Sequence, residues 1–222
     1  MDLISFKMRN LDIDKGKFGK IYTFVDFGNV NYWFADDRYD PEGKLMHENE
    51  MLIIDIQKLA SFLNMFSEKK FFYYGFDISR KRSWHIHKKA ENSGFIKVTK
   101  PIQFIRHYLA GVELEKIQDK DSLSEDLKGK FIKIPKSNFD VEISVDSIRL
   151  FGFYETFCLF SGDSVFSFLV KYLKKRGKKS IIIAPGNIYH TLREQADLYI
   201  NSQRVKANIA SLKSIKKKTP LF

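Results

Sequence analysis

The stretch Ile21-Tyr-Thr-Phe-Val-Asp26-Phe-Gly28-Asn29-Val-Asn31 constrains the chain more than any other. Its apolar half, Ile21 to Val25, is rich in β-branched and aromatic residues and reads as a buried central strand. The run stops at an aspartate, and turn-forming residues follow. In open α/β sheets ligands bind in the crevice beyond the carboxyl ends of the strands. Asp26 therefore stands where a ligand-binding acid is expected.

A second run of the same kind, Thr156-Phe-Cys158-Leu-Phe160, ends in Ser161-Gly162-Asp163-Ser164. Residues 70–76 and 180–184 read as further buried strands, with 198–200 near the end. Residues 95–98 and 104–109 read as short strands broken at Pro101, and 131–134 as a brief one. Helical spacing predicts an amphipathic helix over 51–66 and another led by Phe166, Leu169, Val170 and Leu173. A basic helix is expected over 83–92, closed by Gly94. Another should run from Asn138, as cap, to Leu150, with Val141, Val145 and Ile148 on one face. A short helix is expected over 189–195. Residues 1–20 read as a strand or arm, 32–50 as loop or short helix, and 115–130 as an exposed loop within an insertion at about 111–136. The alternation of strand and helix predicts an α/β fold, a parallel sheet with helices on both faces. A single domain over 1–202 and a basic tail over 203–222 complete the expected organisation.

Composition limits the function. At 222 residues, with 44% hydrophobic residues and 21 Phe, the chain can bury a core of one domain. The lone Cys158 excludes an internal disulfide and points to a reducing compartment. With no run apolar enough for a bilayer and no secretory pattern at Met1-Asp-Leu-Ile-Ser, a cytoplasmic protein is expected. The net charge of +11 and a pI near 9.5 call for a polyanionic partner, nucleic acid rather than a membrane surface. The basic residues cluster in Arg80-Lys81-Arg82, in Lys88-Lys89 and in Lys216-Lys217-Lys218. Trp84 in the middle of the first block can stack on a base or lie on a solvated helix face. His85 and His87 read as a surface strip of that helix.

Asp26 and Asp163 each terminate a buried strand. Adjacent parallel strands would bring their ends to about 4.8 Å, where two carboxylates repel unless a cation lies between them. Asp140, in the first turn of its helix, is the third acid. Three carboxylates with open positions suit Mg²⁺ or Mn²⁺, which activates water and neutralises a phosphodiester. The chain lacks a Gly-x-x-x-x-Gly-Lys-Ser/Thr phosphate loop. It also lacks a second aspartate at position 28, as aspartate-nucleophile phosphatases need, and any Cys/His cluster suited to zinc.

Four blocks, Phe24-Val-Asp-Phe-Gly-Asn-Val, Asp140-Val-Glu-Ile-Ser-Val-Asp-Ser, Leu159-Phe-Ser-Gly-Asp-Ser-Val-Phe and Gln195-Ala-Asp-Leu-Tyr-Ile, resemble the signature blocks of the NYN domain. That domain belongs to the PIN-like nuclease superfamily and includes proteins of the LabA type. The resemblance implies a PIN-like (Rossmann-like) sheet and a metal-dependent ribonuclease, with Asp26, Asp140 and Asp163 as the catalytic, metal-holding acids. It makes Asn29 and Ser161 polar supports of the pocket. Arg80, Lys81, Arg82, Lys88 and Lys89 then bind the substrate backbone, RNA in preference to DNA. The family usually reads Ser-Gly-Asp-Ser-Asp-Phe, where this chain has Val165. The missing charge favours a second reading, a non-catalytic module that binds nucleic acid or a protein partner. Asp146 and Asp197 are the acids left to compensate. Six helical positions, about 600° of turn, separate Asp146 from Asp140, and Asp197 reads as structural.

Overall fold

The chain's structure, a computed structural model, describes residues 3–77, 81–111, 123–186 and 190–214. Among them six strands make one parallel sheet. Across it run β10 (Leu198–Asn201), β9 (Lys179–Ala184), β8 (Thr156–Phe160), β1 (Ile21–Asp26), β3 (Ser67–Tyr73) and β4 (Ile96–Val98). β1 sits at the centre, with Val25 opposite Phe160 of β8 and Asp26 opposite Tyr73 of β3. The chain leaves β1 toward β3 on one side and returns through β8 on the other. The strand order thus reverses between β1 and β8, which makes their carboxyl ends the crevice of the fold.

Every residue of β1 and β8 is buried, so both strands need apolar side chains on both faces. Val25, Phe72, Cys158, Phe160 and Ile183 point to one side, against helix α4 (Ile56–Leu63) with its Leu59, Phe62 and Leu63. Tyr22, Phe24, Phe71, Leu159 and Ile182 point to the other, against Leu169, Val170 and Leu173 of helix α7 (Ser167–Lys175). The high Phe content is used here: Phe24 stacks on Phe71 at 5.0 Å and tilts against Phe157 at 4.9 Å. Both cores share the one sheet, and the described residues form a single α/β domain.

The ends of the chain depart from expectation. Residues 3–18 are not strand: helices α1 (Leu3–Asn10) and α2 (Lys15–Phe18) lay Met8, Leu11, Ile13 and Phe18 into the core. The helix expected over 51–66 divides at Asp55. Before it, β2 (Glu50–Ile54) pairs antiparallel with β11 (Ala210–Ser214). After it, α4 begins, with Asp55 Oδ1 accepting from the Gln57 and Lys58 amides at 2.9 and 3.3 Å. The domain therefore does not end at 202. A 3₁₀ turn at Ser202–Arg204 leads to α9 (Lys206–Ile209) and β11, and Val205, Ile209 and Ala210 are fully buried. Lys216, Lys217 and Lys218 lie outside the described residues.

The described part of the insertion also contains strand. β5 (Gln103–Tyr108), β6 (Leu123–Asp126) and β7 (Gly129–Lys136) form a small antiparallel sheet, where an exposed loop is expected over 115–130. Helix α5 (Lys81–Asn92) ends as expected at Gly94, whose φ of +79° suits glycine. Helix α6 (Asp140–Arg149) buries Ile143 and Ser147 and turns Val141, Val145 and Ile148 outward. A short α3 (Phe27–Val30) follows β1, and α8 (His190–Gln195) precedes β10.

Candidate active site

Asp26 closes β1 and caps α3 in the same move. Its Oδ1 accepts from the Asn29 amide at 3.4 Å and its Oδ2 from the Ser161 hydroxyl at 3.2 Å. The side chain is buried, and burial pushes its carboxyl up to about 6 against the pull of those two donors. The charges of Asp140 and Asp163 push it further the same way.

Asp163 arrives from the neighbouring strand. Ser161 joins the two acids, because its oxygen also accepts from the Asp163 amide at 3.3 Å while its hydroxyl donates to Asp26. Asp163 Oδ1 accepts from the Val165 amide at 3.1 Å and caps the 3₁₀ turn at Ser164–Phe166. Asn29 ties the loops together: its Oδ1 accepts from Gly162 N at 3.2 Å and from Trp33 Nε1 at 2.9 Å. Trp33 in turn stacks on Phe160 at 5.9 Å. The Asn29 side-chain oxygen is thus occupied by the scaffold, as is the Ser161 hydroxyl.

Asp140 comes from across the sheet, at the start of α6. The chain reaches it by crossing over Gly75. A Cβ there would lie 2.5 Å from Ser137 Oγ and 2.6 Å from Ile102 Cγ1, so only glycine fits. Phe139 is buried edge-on to Tyr73, with ring centroids 5.9 Å apart, and Asn138 Oδ1 accepts from the Asp140 amide at 2.8 Å. Burial and the charge of Asp163 raise the Asp140 carboxyl, opposed by Asn138 and Lys100. Lys100 Nζ itself pairs with Glu142 at 2.7 Å.

The three acids thus stand within one another's electrostatic field at the crevice. Even so, among the described residues no group of three His, Cys, Asp or Glu side chains is set closely enough to hold a metal ion. The two compensating candidates face elsewhere. Asp146 accepts from the Tyr73 hydroxyl at 2.9 Å and from Arg149 at 2.8 Å. Asp197 accepts from the amide and hydroxyl of Ser180 at 2.8 and 3.0 Å, at the opposite end of the sheet. Val165 is exposed beside Asp163.

The basic block on α5 is only partly free. Lys89 pairs with Asp55 at 3.2 Å and Lys88 with Glu91 at 3.6 Å. Lys81 and Arg82 begin α5; Arg80 lies outside the described residues. His87 is not on a surface strip: it is buried, beside Tyr74 and Phe76, while His85 is exposed. Tyr32 is exposed, whereas Phe34 is buried and Trp33 packs on the core.

The NYN domain family's sequence model matches residues 20–203. The chain belongs to the NYN domain family. That family is part of the PIN-like superfamily, whose nucleases typically depend on a divalent metal. No curated protein matches the chain. Among solved structures, a protein of unknown function from Vibrio parahaemolyticus has the same fold at 21% identity and a TM-score of 0.57, over 86% of this chain and 96% of that one. The NYN match spans all three acids and Asn29, Ser161 and Gly75. Sequence reasoning does not single out Gly75 and Asn138 as parts of the site. The signal for Gly75 is a glycine among bulky rings, Tyr74-Gly75-Phe76, right after a buried strand.

Proposed function

We propose that this NYN domain is a metal-dependent nuclease that hydrolyses phosphodiester bonds of RNA, with Asp26, Asp140 and Asp163 as its catalytic acids. The observation that carries the reading is geometric: Asp26 and Asp163 follow neighbouring central strands at the switch crevice and are joined through Ser161. Burial and two facing charges raise Asp26 to about 6, an arrangement that a cation offsets. The donors are all carboxylate oxygens, the set that Mg²⁺ or Mn²⁺ takes, so the residues fit the metal in chemistry.

Asp26, Asp140 and Asp163 would hold the divalent ion, which when bound would supply an activated water and neutralise charge on the phosphate. The chain's own residues do the positioning. Ser161 and the Asn29 amide fix the Asp26 carboxyl, and Asn29 Oδ1 holds the Gly162 turn that carries Asp163. Lys81, Arg82, Lys88 and Lys89, with Arg80, hold the backbone without reading sequence.

Cleavage of labelled single-stranded RNA with Mn²⁺, Mg²⁺ or EDTA tests this. Metal-dependent cleavage that Asp26→Asn and Asp163→Asn both abolish is the expected result. The exposed Val165, in place of a second acid, favours one other reading, a binding module without catalysis. Salt-sensitive RNA binding with no cleavage in any metal would establish that reading instead.

A further inference from the structure

A recess of about 240 Å³ opens between α5 and the end of β4. Phe76, just after β3, and Lys97, in β4, place it at the carboxyl edge of the sheet, the edge that carries Asp26. β4 is two strands from β1, or about 10 Å. One wall is the indole of Trp84, which is 57% exposed, and Lys88 and Glu91 stand beside it. Glu91 pairs with both lysines, at 3.6 Å to Lys88 and 3.2 Å to Lys97, which leaves the trio with a net positive charge.

His87 also lines the recess and is 6% exposed. Its Nε2 lies 3.3 Å from the Gly75 carbonyl oxygen. A carbonyl only accepts, so Nε2 carries a proton. Burial, aided by the charge of Lys97, holds the ring below its ordinary pKa and hence neutral. Nδ1 is therefore the ring's acceptor, and among the described residues it is buried with no hydrogen-bond partner. A buried acceptor of this kind is stabilised by any N–H brought to it. Trp84 and His87 both line the recess, so a planar group stacked on the indole lies on the side of the fold where His87 sits.

An aromatic wall, a buried acceptor and adjacent cations match the three chemical faces of a nucleotide: a π-face, an N–H edge and a phosphate. We propose that the recess takes one unstacked base of a single-stranded nucleic acid, with Trp84 as its stacking platform and His87 Nδ1 as acceptor for its N–H edge. Lys88 and Lys97 hold the flanking phosphate. The proposal rests on the nucleic-acid part of the reading above and is independent of cleavage.

The test uses the full chain in EDTA and a labelled 12-nucleotide single-stranded oligo(U), with an abasic oligomer of the same backbone as control. Trp84→Ala should weaken oligo(U) binding roughly 5- to 150-fold, the range of one lost stack, with Trp84→Phe within a few-fold of wild type. The slope of affinity against salt should not change, and the abasic oligomer should bind both proteins alike. Equal oligo(U) affinity for wild type and Trp84→Ala overturns the recess alone. Absence of binding to either oligomer overturns the recess and the nucleic-acid reading together. A stacking loss in a protein that cleaves nothing supports the recess and rejects only the nuclease.

Discussion

Asn29 Oδ1 accepts the Gly162 amide at 3.2 Å, across the gap between the ends of two neighbouring strands. The same oxygen accepts Trp33 Nε1 at 2.9 Å, so one side chain fixes both the turn after β1 and the turn after β8. The two acids closest to the switch point hang on those turns. Asn29→Ala should cost about 1–3 kcal/mol, because it leaves a partly buried indole N–H and an amide without their acceptor. Urea unfolding checks the loss. Cleavage should fall by more than the stability change explains, since Asp163 loses its register against Asp26.

Burial of Asp26 makes stability depend on pH. Its carboxyl rises from an ordinary 3.8 to about 6 in the folded chain. Between those values the folded state holds a proton that the unfolded chain has released, so stability falls as pH rises from 4 to 6. Above about 6 the deficit is complete, at about 3 kcal/mol. Asp26→Asn should therefore stabilise the protein in EDTA at pH 7.5 by up to that amount and change nothing at pH 4. Thermal unfolding at the two pH values decides it. An Asp26→Asn variant no more stable than wild type at pH 7.5 would show that the carboxylate is already compensated.

The legible parts of this fold were those where a single local rule decides the structure. β1, β8 and β9 are covered on both faces, so their sequences are continuous apolar runs, and the acids that end two of them stand out. β2 was hidden because its partner, β11, comes from the other end of the chain. Ile54 also lies one residue short of a real helix, so Asp55 alone marks the boundary. Lys206 and Lys213 made the last segment read as a tail, although Val205, Ile209 and Ala210 beside them are buried. α6 was located, but its apolar stripe points to solvent, because the core it covers takes only Ile143 and the small Ser147. At the site, the acids at the strand ends were visible. The crossing over Gly75 was not, since it depends on two segments more than 25 residues away in sequence.

That crossing can be tested. A Cβ at Gly75 would come within 2.6 Å of Ile102 Cγ1 and 2.5 Å of Ser137 Oγ. Ser137 lies three residues before Asp140, so Gly75→Ala should push the segment that delivers Asp140 away from the sheet. Overpacking of this kind costs about 1–3 kcal/mol. The thermal midpoint should drop, and metal-dependent cleavage should fall further. The double variant Gly75→Ala/Ser137→Gly removes one of the two clashes and should recover part of both losses.

Val165 is the position where added charge should matter most. It is 49% exposed, within the 3₁₀ turn that Asp163 caps, and its backbone amide already donates to Asp163 Oδ1 at 3.1 Å. An aspartate there meets solvent rather than core, so Val165→Asp should leave folding within about 0.5 kcal/mol of wild type. It adds a hard oxygen donor beside three carboxylates, and the extra charge should tighten Mn²⁺ binding about tenfold. A ligand that binds only the folded state raises its stability by RT ln(1 + [L]/Kd), so tenfold tighter binding is worth about 1.4 kcal/mol at saturating metal. The readout is the rise in thermal midpoint across a Mn²⁺ titration, with Asp163→Asn as the variant that should not respond. Equal midpoints for Val165→Asp and wild type at every Mn²⁺ concentration would place position 165 outside the reach of the metal. The valine would then be no reason to doubt catalysis.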